Sequence, residues 1–288
     1  MAPKIEASMA VMLLFVAVVQ ILALALMPPL LAAEVRVFED PSSTTNPLSY
    51  ILLVIAFTAF LLFAVKMGRS WVVSGFIQLA VAMSLYYVLS AVIPLAPSIL
   101  LALGLTAVLR IYPEWYLVDA VGLLVSAGVS ALFGISMNTL PAILLLAALA
   151  VYDAVSVYKT KHMVDLAESA IRMKAPLLFI VPRRQGYSFR KTPPGREKGG
   201  AYFLGLGDAI IPTVIVVSAN WSVEASVLPL PGLAVNLPAG GAMIGTLLGF
   251  LFLSMTSRAR PQAGLPFLNG GAILGFLLGC FAAGVPPF

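Results

Sequence analysis

Three aspartates interrupt otherwise apolar runs: Asp119 in "WYLVDAVGL", Asp153 in "AVYDAVSVY" and Asp208 in "FLGLGDAIIP". A carboxylate at the centre of a membrane helix costs at least about 2.5 kcal/mol, so each should face a bundle interior or a wet cavity. No Lys, Arg or His lies inside another apolar run to neutralise them, and the nearest base, Arg110, stands at the end of one. A buried structural ion pair is therefore a poor explanation of the acids. Asp153 lies six residues before Lys159, about 9 Å along a helix from its charged end at 1.5 Å per residue. Asp208 lies eight residues beyond Gly200, about 12 Å in by the same measure. One run leaves the membrane where the next enters it, so the two carboxylates sit at similar depth and are placed to face each other. Asp119 is only a few residues into its run, close enough to the surface to stay hydrated. It shares a small, mildly polar stripe with Gly122, Ser126 and Ser130, which reads as lining or packing.

The residue types narrow the chemistry. Serine catalysis needs a base, and the single histidine, His162, falls in a loop; "GISM" at 134–137 has no histidine partner. Metal hydrolysis would need a pattern such as HExxH, which is absent. Cys280 stands alone in an apolar run and reads as a small buried hydrophobe, with no disulfide or CxxC site. Two close aspartates remain. Like charges resist joint ionisation, so they share one proton. The ionised member can take a proton from water as it attacks a carbonyl, while the protonated member polarises the carbonyl oxygen. This is peptide hydrolysis without metal or cofactor.

Around Asp208, Pro212 lacks an amide hydrogen, so the carbonyl of residue 208 loses its helical partner. Gly205 and Gly207 flank Leu206 and remove bulk beside the acid, favouring an opened backbone that a membrane tolerates only along a wet cavity. Tyr152 sets a hydroxyl next to Asp153.

The elements that must hold these groups follow from composition. Of 288 residues, 61% are hydrophobic and 10% are charged, against about 25% charged in soluble domains. The chain reads as an all-α polytopic membrane protein with nine spans, near 8–33, 48–65, 71–93, 97–111, 117–135, 139–158, 201–219, 238–257 and 267–285. Pro28 and Pro29 interrupt the first of these, whose apolar run is longer than a signal peptide's. With nine spans, every Lys and Arg except Arg36 falls on one side, together with the amino terminus. The positive-inside rule makes that side cytoplasmic and puts the carboxy terminus outside. The net charge of +5 thus reports topology and lipid contact, and nothing points to nucleic acid. We read one membrane domain in three parts: residues 1–158, a basic cytoplasmic loop at 159–200, and residues 201–288. In the loop, Met163, Leu166, Ala167, Ala170 and Ile171 keep helical spacing, "APLLFIVP" is strand-like, and "RRQGYSFRKTPPGREKGG" reads as a mobile tail. Gly241, Gly245 and Gly249, and Gly271, Gly275 and Gly279, recur every four residues as close-packing faces of the last two spans.

At the two aspartates the chain resembles the presenilin and signal peptide peptidase family of intramembrane aspartyl proteases. The family pairs Tyr-Asp on its sixth helix with Gly-x-Gly-Asp on its seventh, here Tyr152-Asp153 and Gly205-Leu206-Gly207-Asp208. "YDAVSVYKTKHMVDLAESA" is similar to presenilins and "LGLGDAIIP" to signal peptide peptidases; the cytoplasmic amino terminus matches presenilin orientation, and signal peptide peptidases are inverted. The resemblance implies Asp153 and Asp208 as the catalytic pair, with transmembrane segments or signal-peptide remnants as substrates. It also implies a substrate-positioning turn before the ninth helix. The family's Pro-Ala-Leu stands here as Ala263-Gly264-Leu265, followed by Pro266. A helical substrate must unwind to expose its amide, and the strand-like "APLLFIVP" could offer an edge for it. The chain is identified as a compact member suited to the cell membrane of a microbe.

A proton- or ion-coupled transporter is the rival reading, since membrane carboxylates and broken helices also serve transport. It predicts inverted repeats and acids at the midplane; no repeat is evident, and the acids lie nearer one surface. A prepilin-type peptidase also has an aspartate after Gly-x-Gly, but the Tyr-Asp partner on the preceding span argues against it.

Overall fold

The computed structural model describes residues 7–160, 168–193, 200–230, 232–256 and 262–288. Lys4, His162, Met163, Leu166, Ala167, residues 194–199 of the stretch 183–200, Arg258 and Arg260 lie outside the described residues. The helices are α1 (Ala7–Ala32), α2 (Thr45–Lys66), α3 (Ser70–Ser90), α4 (Leu95–Ile111), α5 (Trp115–Ile135), α6 (Thr139–Val155), α7 (Leu206–Ser222), α8 (Leu237–Thr256) and α9 (Leu265–Ala283). A π-helical turn, Ser156–Thr160, prolongs α6. Among the described residues, seven helices, counting α6 with its π turn as one, are long and apolar enough to cross a membrane; α4 and α7 are apolar but shorter.

Among the described residues, two antiparallel strand pairs accompany the helices. Strand β1 (Leu178–Pro182) pairs antiparallel with β2 (Ala201–Gly205), and β3 (Val227–Leu230) pairs with β4 (Leu233–Asn236). The strand-like "APLLFIVP" therefore does form a strand. Its unbroken apolar run is explained by burial on both faces: Leu178 and Ile180 enter one hydrophobic cluster, Phe179 and Val181 another. Residues 168–172 are helical with Ala170 and Ile171 buried, as their spacing requires.

Three expectations need correction. The run at 201–219 is not one helix: its first five residues are β2, and α7 begins only at Leu206. Pro28 and Pro29 do not interrupt α1, which runs through both of them to Ala32. Asp119 is not hydrated; it is 4% exposed, since β1 packs over the start of α5.

Helix α5 is the axle of the fold, touching α1, α3, α7 and β1. Its small residues admit close neighbours: a methyl group added at Gly134 would lie 2.4 Å from Val217. At the far end of α7, Trp221 donates its indole N–H to the Gly134 carbonyl (2.7 Å) and Ser218 its hydroxyl to the Met137 carbonyl (2.8 Å). Asn236 joins α7 to α8. Its Nδ2 donates to the carbonyls of Ala219 (2.7 Å) and Val223 (2.9 Å), while its Oδ1 accepts the Ala239 amide (2.9 Å) as a helix cap.

The glycine stripes of α8 and α9 interlock. A Cβ on Gly245 would stand 2.0 Å from the Gly271 carbonyl oxygen, and one on Gly275 would stand 2.1 Å from that of Gly241. These contacts are to backbone, which cannot swing aside. Gly245→Val should therefore cost on the order of 3 kcal/mol by overpacking. Gly270→Ala, with open space around its Cα, should cost little. Thermal unfolding in detergent separates the two.

Candidate active site

Asp208 occupies the first turn of α7, three residues after the helix cap Gly205. At that position a short acid can turn back to the amide of the capping residue, and the Gly205 N–H does bond the Asp208 carboxylate. Gly205 is in extended conformation (φ −61, ψ 137), so it is a glycine for space and not for φ. A Cβ there would lie 3.2 Å from Asp208 Oδ2. Leu206 pins the junction: its N–H donates to the Leu177 carbonyl (3.0 Å), and its side chain fills the room beside Gly122. Gly207 is exposed, and a Cβ there would meet nothing within 4 Å. The opened backbone expected around Asp208 exists, but as a strand-to-helix junction before the acid and not as a break within a helix.

Asp153 lies near the end of α6 and is 8% exposed. Its Oδ2 accepts the amide of Leu265, the first residue of α9, at 3.1 Å. Each acid is thus lodged at the amino end of a helix, where unpaired N–H groups and the helix dipole suit a carboxylate. Pro266, at the second position of α9, has no N–H and leaves no orphan donor.

The segment Ala263-Gly264-Leu265 links the two acids. A Cβ on Gly264 would lie 3.2 Å from Asp208 Oδ1 and 3.6 Å from Oδ2, while the next amide bonds Asp153. The two carboxyl groups thus border adjacent residues of one segment, Asp208 at Gly264 and Asp153 at Leu265. Ala263 is fully buried, and its N–H donates to the Tyr158 hydroxyl at 3.4 Å. Tyr152 is half-buried; as Asp153's immediate neighbour it points to another side of the helix, and its carbonyl accepts the Ser156 hydroxyl at 2.6 Å.

Three contributors escaped the sequence reading. Asn269, fully buried in α9, donates Nδ2 to the Leu146 carbonyl of α6 at 2.9 Å and ties together the helices that bring Asp153 to Leu265. Its signal was an amide in an apolar run, one turn beyond Leu265. Tyr158 had only its distance from Asp153. Asp119 was noticed, but its partner was not: Oδ1 accepts the Ile180 amide of β1 at 2.7 Å. The hydrogen-bond pattern explains the geometry. Arg183 N–H donates to the Gly200 carbonyl and Leu206 N–H to the Leu177 carbonyl. In the alternating antiparallel pattern Ile180 and its partner Phe203 then turn their backbone groups away from each other. The outer edge of β1 is closed at Ile180 by Asp119. The outer edge of β2 at Phe203 has no partner among the described residues.

The chain is similar to known proteins along nearly its whole length. The family model described as signal-peptide peptidase, presenilin aspartyl protease matches residues 12–285. A structure of a presenilin family intramembrane aspartate protease in one crystal form shares 39% identity, covering 96% of this chain and 99% of the other, with a TM-score of 0.69. A structure under the same description in a second crystal form shares 38% identity over 98% of this chain and 99% of the other, with a TM-score of 0.67. No curated protein matches the chain. With nearly its whole length covered by that family model, the chain belongs to the signal-peptide peptidase and presenilin family of aspartyl proteases, and it is an intramembrane aspartic endopeptidase.

Proposed function

We propose that Asp153 and Asp208 are the catalytic pair and that they hydrolyse peptide bonds within transmembrane segments or signal-peptide remnants. The observation that carries this reading is their meeting at one backbone segment, Asp153 on the Leu265 amide and Asp208 against Gly264. One carboxylate removes a proton from water as the oxygen attacks the scissile carbonyl carbon. The protonated partner gives its proton to the carbonyl oxygen. As the gem-diol intermediate collapses, the acid that took the proton from water passes it to the amide nitrogen, the C–N bond breaks, and the partner carboxylate recovers a proton from a gem-diol hydroxyl. The products are a new carboxylate and a new amine, and the pair is ready for another water.

Nine spans, a cytoplasmic amino terminus and an outer carboxy terminus complete the proposal, placing the pair near the cytoplasmic face of a microbial cell membrane. The short helices α4 and α7 are read as spans on their apolar composition. The three-part division at 158 and 200 is kept, with β1 and β2 closing the loop onto the membrane domain.

Substrate access follows from the sheet. An unwound substrate adds as a strand to the open edge of β2, and the chain direction then leads it past Gly205 to Asp208. The strand edge is thus assigned to β2, not to "APLLFIVP". The purified protein should cut a membrane-embedded peptide inside its apolar stretch, and in H₂¹⁸O the new carboxyl group should carry the label. Phe203→Pro removes the outward amide without touching the β1 ladder, and should lower kcat/KM about tenfold, while Phe203→Leu stays near wild type. Equal cleavage by the two variants would rule out pairing at Phe203.

A further inference from the structure

We propose that Tyr158 is a positioning residue for the reaction, its hydroxyl holding the Ala263 amide and thereby setting the backbone that separates the two carboxyl groups. The inference rests on the reading of Asp153 and Asp208 as the catalytic pair.

Asp153 and Tyr158 are five residues apart. In an unbroken α-helix that spacing leaves them about 140° apart around the axis. Here the chain widens after Val155 into the π-helical segment Ser156–Thr160, which turns less per residue than an α-helix and so brings Tyr158 nearer to the face that carries Asp153. The result is that one helix end reaches the same short segment twice. Asp153 takes the amide of Leu265 and Tyr158 takes the amide of Ala263, with Gly264 between them against Asp208. Side-chain hydroxyls help fasten the π turn to the end of α6: Ser156 donates to the Tyr152 carbonyl at 2.6 Å, and Thr160 donates to the Ser156 carbonyl at 3.3 Å.

The chemistry at position 263 gives the hydroxyl its purpose. Ala263 is fully buried, and a buried amide without an acceptor is costly. Proline at this position would have no N–H to satisfy. Alanine does, and Tyr158 supplies the acceptor. The tyrosine is otherwise more than half exposed, so its ring is not a core residue whose loss would unfold the protein.

The test combines Tyr158→Phe and Ala263→Pro with cleavage of a transmembrane peptide. Tyr158→Phe should lower kcat about fivefold to tenfold, the equivalent of one hydrogen bond, with a smaller change in KM. Whatever Ala263→Pro does alone, adding Tyr158→Phe to it should change nothing further, because the amide that the hydroxyl serves is gone. The idea is overturned if Tyr158→Phe matches wild type, or if it costs as much in the Ala263→Pro background as without it. If Ala263→Pro does not fold, binding of a peptide whose scissile amide is replaced by a hydroxyl-bearing carbon decides. Tyr158→Phe should weaken it about fivefold. Unchanged binding rejects the role. An active Asp153→Asn would sink the catalytic pair itself; an inactive Asp153→Asn beside a fully active Tyr158→Phe would sink this inference alone.

Discussion

Asp153→Asn and Asp208→Asn should each reduce turnover of a transmembrane peptide on the order of 10⁴-fold while leaving the helical fold intact. Asparagine is nearly isosteric with aspartate. At position 153 it can still accept the Leu265 amide, so α6 and α9 stay joined. What it cannot do is take a proton from water, or hand a dissociable proton to a carbonyl oxygen. Two residues acting as one unit also give non-additive losses: the double variant should be no slower than either single variant. Independent, multiplying losses would mean that the acids act in separate steps. Retained activity in either single variant would exclude it from the chemistry.

The second large effect is expected one layer away, at Asp119. Asp119→Leu deletes the only described acceptor for the Ile180 amide, in the middle of a strand buried on both faces. An orphaned buried amide costs about 1–3 kcal/mol, which corresponds to roughly 5- to 150-fold in kcat/KM if the strain is relieved by β1 leaving its place. Because β2 is held through β1, a loosened sheet should also blur the register in which substrate is presented. The products of Asp119→Leu should end at several adjacent positions. Asp119→Asn keeps an acceptor oxygen and should stay near wild type in both rate and cleavage position, as read by product masses. Loss of activity with an unchanged cleavage site would point to a plain folding defect. An impaired Asp119→Asn would mean that the charge matters and not the hydrogen bond.

The contrast between the acids shows what a linear reading can see. Apolar runs broken by charge, proline and glycine mark the long helices because hydrocarbon imposes a length and excludes charge. Asp153 and Asp208 stood out for the same reason, as rare groups in costly places. The glycine stripes declared their close approach through simple periodicity, and the interlocked backbones of α8 and α9 match it. Asp119 was equally visible, yet its role depends on Ile180, sixty-one residues away, and no local pattern encodes that partner.

Other features were hidden by ambiguity. "AYFLG" is an apolar run of five residues leading into a helix, and a short run of that kind has no period to tell strand from helix. Only its pairing with β1 decides. The hairpin at 227–236 carries Pro and Gly turn signals, but it sits between two spans where a loop was the simpler assumption. The π turn after α6 has no composition of its own. Its consequence, Tyr158 reaching Ala263, emerges only when α9 is in place. Asn236 illustrates the same limit: as a residue of a loop it is unremarked, and in the fold it caps α8 while holding the end of α7.

The most direct measurement uses a peptide that spans the membrane and carries a tetrahedral hydroxyl-bearing carbon in place of the scissile amide. Binding to the wild-type protein and to the two asparagine variants would be compared by calorimetry or by inhibition of a labelled ligand. If both acids grip one tetrahedral centre, each variant should bind the mimic at least about 100-fold more weakly than wild type, while an uncleaved amide peptide binds all three alike. Equal affinity of the mimic for wild type and for either variant would contradict a joint role for Asp153 and Asp208.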